Sequence, residues 1–399
     1  QRQMCIRDRI RSSYGLLGDD SSASYQFLSG YNYPSDGYVQ NDNWTNAIGM
    51  RGLPNPNITW LKAKTFNIGI DANMWNGLLD LQADYFNRYR YGIYAKRSLS
   101  LPGTVGANLP DENLNSDQVR GFELGLSHRN KVGGVNYHIS GNVSYARATK
   151  KFVERSESGN SYRDWRNNEN NRYSDIWWGL GYTGQFTNYT DIYNASIQDS
   201  KGNSILRPGD YQYDDWNGDG VIDSNDEHPI AIKNYPKINY GITLGADYKN
   251  FDIVMLFQGS AKSYVKYPEQ LEKPLSWGRN GLDMFMDRWH LSDPNNPDSE
   301  WIPGYYPSTN TGESTNYKDS EKSVQNASYL RLKTLEFGYS LPKSTLGKIG
   351  ISSMRLYFSA YNLVTFTGLK YLDPEHPSET YGYLYPLTKT YNFGVNISF

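Results

Sequence analysis

Cysteine is almost missing from this sequence: Cys5 is the single one in 399 residues, so neither an internal disulfide nor a thiolate metal cluster can form. A charge excess is missing too. Lys and Arg total 40 against 42 Asp and Glu, a net charge of −2, which leaves no basic surplus to hold a phosphate backbone and argues against nucleic acid as a partner. No apolar run approaches the roughly 18 residues that a membrane helix needs. Nor does an apolar stretch come after a basic start, so any export signal is expected upstream and the chain reads as a C-terminal fragment. Catalytic signatures are lacking as well. There is no GxSxG elbow and no HExxH, and His128, His138, His228, His290 and His376 are scattered without metal-ligand spacing. We expect no enzymatic activity.

What is present is aromatic. Hydrophobic residues make up only 38 %, yet aromatics reach 15 %, with 35 Tyr and 10 Trp, a balance that disordered chains do not show. Two classes survive: a soluble all-β protein, or a transmembrane β-barrel, whose alternating strands barely raise mean hydropathy. Residues 1–9 share no pattern with the rest of the chain; they read as translated sequencing-adapter sequence and are set aside, leaving 10–399 for the fold.

Period-2 alternation runs through that remainder. Tyr391, Phe393, Val395, Ile397 and Phe399 alternate with Asn392, Gly394, Asn396 and Ser398, the pattern of a strand with one apolar and one polar face. Phe66 to Met74, Val135 to Tyr145 and Ile238 to Tyr248 repeat it, and further strands fit near 10–16, 78–91, 118–129, 250–262, 328–341 and 353–364. That gives about ten strands, many near the 9–11 residues a tilted membrane strand needs. Leu330 and Leu332 fall out of phase with Leu335, Phe337 and Tyr339, which a bulge near Thr334 or a strand end outside the membrane accounts for.

The connections separate the two classes. Asn76-Gly77, the stretch Asn130 to Gly133, and Lys249-Asn250 are tight hairpin turns, whereas the alternate connections, near 92–117, 147–236, 263–327 and 365–388, are long. Short turns on one rim and long loops on the other characterise an outer-membrane barrel, with periplasmic turns and extracellular loops, and a sandwich has no reason to sort its loops this way. Ten strands do not close the wide barrel that such loops suggest.

Several stretches resemble the SusC/RagA family of TonB-dependent outer-membrane transporters. They are Ser12 to Gly15, Asn55-Pro56-Asn57 with Trp60 and Phe66 to Gly69, Gly121 to Leu124, Gly209-Asp210, Asp215 to Asp223, Tyr329 to Lys333, Leu356 to Phe366, and Tyr385 through Phe399. The resemblance covers nearly everything after Arg9. It implies the C-terminal part of a plugged barrel of about 22 strands. It also implies a SusD-like lipoprotein over the extracellular loops, and import of oligosaccharides or other large nutrients driven through TonB. The plug and the TonB-contacting segment would lie outside this chain.

Three candidate sites stand out. Asp215, Asn217, Asp219, the carbonyl of Val221, Asp223 and Asp226 fit the twelve-residue calcium-loop template, with Gly220 at the sharp turn, so a structural Ca²⁺ is expected there. The fit departs at Asp226, where the template has Glu, and a turn held by Asx hydrogen bonds is the alternative. Gly179 to Gly184 spells GxGxxG, but no βαβ surrounds it, and it reads as a loop or strand end with close backbone packing. The loops are rich in aromatics beside amides and carboxylates, and Trp165, Trp177, Trp178, Trp277, Trp289 and Trp301 are candidate ligand-binding rings; packing of loops on one another is the alternative. Tyr85, Tyr89 and Tyr91 suit an interfacial girdle, and Asn136, His138, Asn239, Thr243 and Asp247 a polar lumen face.

The reading is a portion of an outer-membrane importer taking oligosaccharide or peptide cargo, its apolar strand faces against lipid. Two alternatives stand beside it: an outer-membrane receptor or adhesin that binds without translocating, and a secreted all-β glycan-binding or glycan-cleaving protein whose apolar faces pair in a dry core.

Overall fold

The computed structural model describes residues 8–20, 25–97, 109–233, 235–275, 278, 280–310, 312–346, 350–375, 385 and 387–399. Ten long strands form one antiparallel path in which sheet neighbours are also sequence neighbours. They are β1 (Arg9–Asp19), β2 (Leu61–Met74), β3 (Leu79–Lys96), β4 (Asp111–Val132), β5 (Val135–Phe152), β6 (Ile238–Tyr248), β7 (Phe251–Ala261), β8 (Tyr329–Ser340), β9 (Ser353–Thr367) and β10 (Thr390–Ser398). The chain divides into two compact units: Gln1–Asn73, Leu81–Leu124 and Tyr145–Ser174, and Met74–Asp80, Gly125–Ser144 and Asp175–Phe399.

Every strand expected from the alternation is present, and several are longer, three of them markedly. β3, β4 and β5 run 18, 22 and 18 residues, so they exceed the about 9–11 residues that a membrane crossing uses. β1 starts at Arg9, one residue inside the segment set aside, and Asp8 accepts a hydrogen bond from the Asn73 amide at 2.9 Å. A hairpin of Tyr31–Gln40 with Asn43–Met50 was not expected. It turns at Asn41-Asp42, both at positive φ, and its first strand carries Pro34 and two register shifts that break the alternation.

The tight turns have the backbone their residues suggest. Asn76 and Gly77 lie at φ 58° and 85°, with the Leu78 amide donating to the Trp75 carbonyl, the signature of a type I′ turn. The next turn is Gly133-Gly134, at φ 58° and 88°, because β4 continues through Val132 rather than ending near Asn130. The out-of-phase leucines are explained by a bulge. The register skips Lys333 on both sides of β8, so its side-chain parity flips between Leu332 and Thr334.

In the first unit, Ile10, Tyr14 and Leu16 of β1 and Phe66, Ile68 and Ile70 of β2 are all exposed. In the second, Phe337, Phe358 and Phe393 sit in register across β8, β9 and β10, and Phe393 is 84 % exposed. Rows this apolar and uncovered fit a lipid-facing surface, and they remove the alternative in which they pair in a dry sandwich core. The three apolar clusters of buried residues among the described residues lie instead in the long connections: Leu180 with Tyr211, Tyr213 and Ile222; Phe186 with Ile192 and Leu206; and Val265 with Ala327 and Leu369.

The opposite strand faces carry charge. Arg11 bonds Asp71 and Asp84 on neighbouring strands of the first unit, and Arg355 bonds Asp252 and Glu336 in the second. Glycines recur on these faces beneath long side chains of the adjacent strand. An added Cβ at Gly245 would collide with the His138 ring, at Gly338 with the Arg355 guanidinium, and at Gly394 with the Tyr357 phenol.

Candidate functional site

Three long connections emerge on one side of the second unit's meander: those after β5, β7 and β9. Because strand direction alternates, every second connection must leave the same edge. Together they build a cleft of about 530 Å³ whose walls are tyrosine-rich. Tyr211 comes from the first connection, Tyr267, Tyr305, Tyr306 and Tyr317 from the second, and Tyr371 from the third.

Local structure fixes each ring. Tyr211–Tyr213 pairs with Tyr182–Gln185, and the Tyr211 amide donates to Asn316 Oδ1 at 2.8 Å, tying the first connection to the second. Asn316 Nδ2 in turn donates to Asp210 Oδ1 at 2.8 Å, and Tyr213 Oη donates to the Thr315 carbonyl at 2.8 Å. Burial pushes the Asp210 carboxyl up, against the opposing pull of its Asn316 and Arg207 bonds. Tyr306 packs edge-on against Phe285 at 5.1 Å and Tyr305 at 4.9 Å. The third connection is held by Tyr267, whose hydroxyl donates to the Lys370 carbonyl at 2.8 Å.

Two half-buried ionisable residues line this cleft. Glu272, at the end of the Glu269–Glu272 helix, leaves Oε1 without a partner, and burial pushes its carboxyl up to about 8. It is therefore neutral at pH 7 and can donate a hydrogen bond. Lys322 lies with its ammonium 3.7 Å from the Tyr305 ring centre, 5.3 Å from Tyr182 and 5.5 Å from Tyr211. Asp283 and Asp287 stand at the exposed rim, where the Tyr305 amide donates to Asp287 Oδ1 at 3.1 Å.

Glu272 makes stability depend on pH. Its folded value is raised above the ordinary 4.5, so its contribution is fully present below pH 4.5 and lost as pH rises through about 8. The wild-type unfolding midpoint should thus fall across that window by more than that of Glu272→Gln, which cannot titrate. Parallel urea midpoints from pH 5 to 9 would show that the group has an ordinary carboxylate value.

None of the six candidate tryptophans lines this cleft among the described residues, and Trp277 lies outside them. Trp177 and Trp289 are 9 % and 7 % exposed, so their rings fill the loop interior and offer no face to a sugar. Trp289 packs on Gly209, and Trp177 stacks with the Lys233 ammonium at 5.6 Å. Trp165, on the Ser161–Asn167 helix of the first unit, packs against Tyr162 and Arg172 and keeps 43 % of its surface. Trp178 and Trp301 are half-buried in short strands paired to Pro229 and Leu291. Tyrosines recruited from distant loops were missed because their convergence depends on folding, not spacing; Tyr305-Tyr306 within the aromatic run from Trp301 was the one local signal.

The candidate calcium loop folds around its own carboxylates. Asp215 accepts from the amides of Gly218, Asp219 and Gly220, and Asp226 from those of Asn217 and Asp223. Asn217 and Asp219 make the short Asx bonds to the amides of Asp219 and Val221. Among the described residues no three acidic, His or Cys side chains converge as a metal group. The GxGxxG segment lies at strand ends, Ile176–Gly179 and Tyr182–Gln185, with an added Cβ at Gly179 blocked by Ile230 and the Asp319 backbone. Tyr89 and Tyr91 stack at 5.9 Å on β3, and Asn136 bonds Asp247 across β5 and β6.

No family model matches the chain. It is 27 % identical over 414 residues to TonB-dependent receptor P3 of Formosa agariphila, covering 98 % of this chain and 39 % of that protein. With TonB-dependent receptor SusC of Bacteroides thetaiotaomicron it shares 24 % identity over 351 residues, 86 % of this chain and 32 % of the relative. Among solved structures, the RagAB peptide importer in its open-open state matches with a TM-score of 0.66 at 21 % identity, over 98 % of this chain and 40 % of that one. The chain thus spans about a third to two fifths of the length of these relatives. Their names are those of receptors and an importer, none an enzyme.

Proposed function

From a chain that is a β-barrel portion of a SusC/RagA-type TonB-dependent receptor of the outer membrane, we propose that the whole receptor imports a large polar nutrient, an oligosaccharide or a peptide. Capture takes place on the loop side, between the extracellular connections and a SusD-like lipoprotein, and TonB drives release through a plug segment. The observation that carries this reading is the tyrosine cleft, assembled from three connections of one rim. Rings with hydroxyl handles suit cargo that presents both flat apolar faces and hydrogen-bonding groups. The polar strand faces, with Asn136, His138, Asn239, Thr243 and Asp247, supply a wettable path beneath it.

The test is uptake. Cells carrying Tyr305→Ala, Tyr306→Ala and Tyr371→Ala together should keep the receptor at normal amounts in the outer membrane. Uptake of a fluorescent oligosaccharide or peptide pool should fall by at least about tenfold, as expected when several stacking contacts are lost. Unchanged uptake would place the cleft outside the cargo path. Cargo retained at the surface with no TonB-dependent entry would favour the non-transporting receptor.

We further propose that the Asp215 to Asp226 loop takes Ca²⁺ as a structural ion. Both Asp226 oxygens and Asp219 Oδ1 accept one amide each and retain a lone pair for an ion, whereas each Asp215 oxygen already accepts two bonds and would exchange one of them on binding. Ca²⁺ should raise the melting temperature of wild type by several degrees and leave that of Asp215→Asn/Asp219→Asn unmoved. Equal melting with Ca²⁺ and with chelator would show that hydrogen bonds alone hold the loop.

A further inference from the structure

Lys322 is the half-buried cation of the cleft, and no carboxylate among the described residues pairs with its ammonium. Three tyrosine rings hold it by their faces instead, with Tyr305 at 3.7 Å. Ring faces attract a cation but accept no strong hydrogen bond, so its N–H groups still need acceptors. A half-buried ammonium caged this way is pre-positioned for an anion that arrives from outside.

The surroundings favour the same ligand chemistry. The acids nearest the mouth, Asp283 and Asp287, sit on the exposed rim, where water screens them. Inside, burial favours the neutral form of Glu272, so it does not repel an anion there. Tyr317 also lines the cleft, with its hydroxyl buried and without a hydrogen-bond partner. Among the described residues of the lining, Lys322 is thus a half-buried cation, and the only ionised acids, Asp283 and Asp287, stand at the exposed rim.

We propose that Lys322 is an anion-binding subsite of this cleft and takes a carboxylate of the cargo, either a uronate on an oligosaccharide or the C-terminus of a peptide. The inference rests on the cargo-capture reading and deepens it. It is tested on the full receptor in detergent by calorimetry with two matched pairs of probes: trigalacturonate against galactotriose, and pentaalanine with a free against an amidated C-terminus. In at least one pair the acid should bind about tenfold tighter, the size of one charge-assisted hydrogen bond, and which pair it is identifies the source. That preference should shrink at high salt, vanish in Lys322→Gln and persist in Lys322→Arg. The salt arm uses wild type alone, so it reads out even if Lys322→Gln folds poorly. Equal binding within both pairs, or a preference that survives Lys322→Gln, overturns the subsite and leaves cargo capture standing. No binding of any probe overturns the subsite and counts against cargo capture as well.

Discussion

Arg331→Met should cost about 3–5 kcal/mol of stability, the loss expected when one partner of a buried ion pair is removed and the other stays. Arg331 on β8 has a side chain 2 % exposed, and both oxygens of Asp373, itself 9 % exposed, lie 2.8 Å from its Nη2. Its Nε donates to Thr365 Oγ1 at 2.8 Å, and Glu375 adds a further carboxylate at 3.4 Å. Methionine fills the space of the aliphatic stem but leaves Asp373 charged, with the Glu375 amide as its remaining partner. Asp373 belongs to the connection that brings Lys370 and Tyr371 to the cleft, so that wall should become protease-sensitive first. Urea unfolding in detergent reads the energy, and Arg331→Met/Asp373→Leu should recover most of it, since replacing both partners removes the stranded charge. A single variant within about 1 kcal/mol of wild type would mean that water reaches the pair.

Gly209→Ala should be nearly as damaging, at roughly 3 kcal/mol or more. Gly209 has φ 92°, outside the region that L side chains occupy readily, and an added methyl would run into the Trp289 indole. Backbone strain and overpacking each contribute about 1–3 kcal/mol. The residue cannot shift freely, because its amide donates to the Phe186 carbonyl at 2.7 Å and its carbonyl accepts from Gln185 Nε2 at 2.9 Å. Loss of the near-ultraviolet signal of Trp289 together with a lowered unfolding midpoint would be the expected result. Unfolding curves that superimpose on wild type would show that the loop has room to move aside.

These two positions show what was and was not legible before folding. Both fall in stretches whose resemblance to a transporter family was visible, yet the physical reason for each residue depends on partners far along the chain: 42 residues from Arg331 to Asp373, and a longer jump from Gly209 to Trp289. The strands were legible because alternation is a local pattern, and lipid rewards it on every strand independently. The bulge at Lys333 was legible for the same reason, since a phase error in one strand has few remedies. Burial, which spacing does not reveal, sets Trp177 and Trp289 apart from the other candidate rings. The long connections bury these two large rings as interior packing. The Tyr31–Gln40 strand escaped notice because Pro34 and two register shifts hide its period.

Under the proposed import function, the glycines beneath His138, Arg355 and Tyr357 bear on what size of cargo the polar strand faces admit. Each lets a bulky neighbour lie flat along the sheet instead of standing up from it. Clearance above the polar face is then set by the thickness of a reclining ring rather than by the full reach of an upright side chain. Filling such a seat with even a methyl group would tip the neighbour upright and reduce that clearance, without changing the charge that the surface presents.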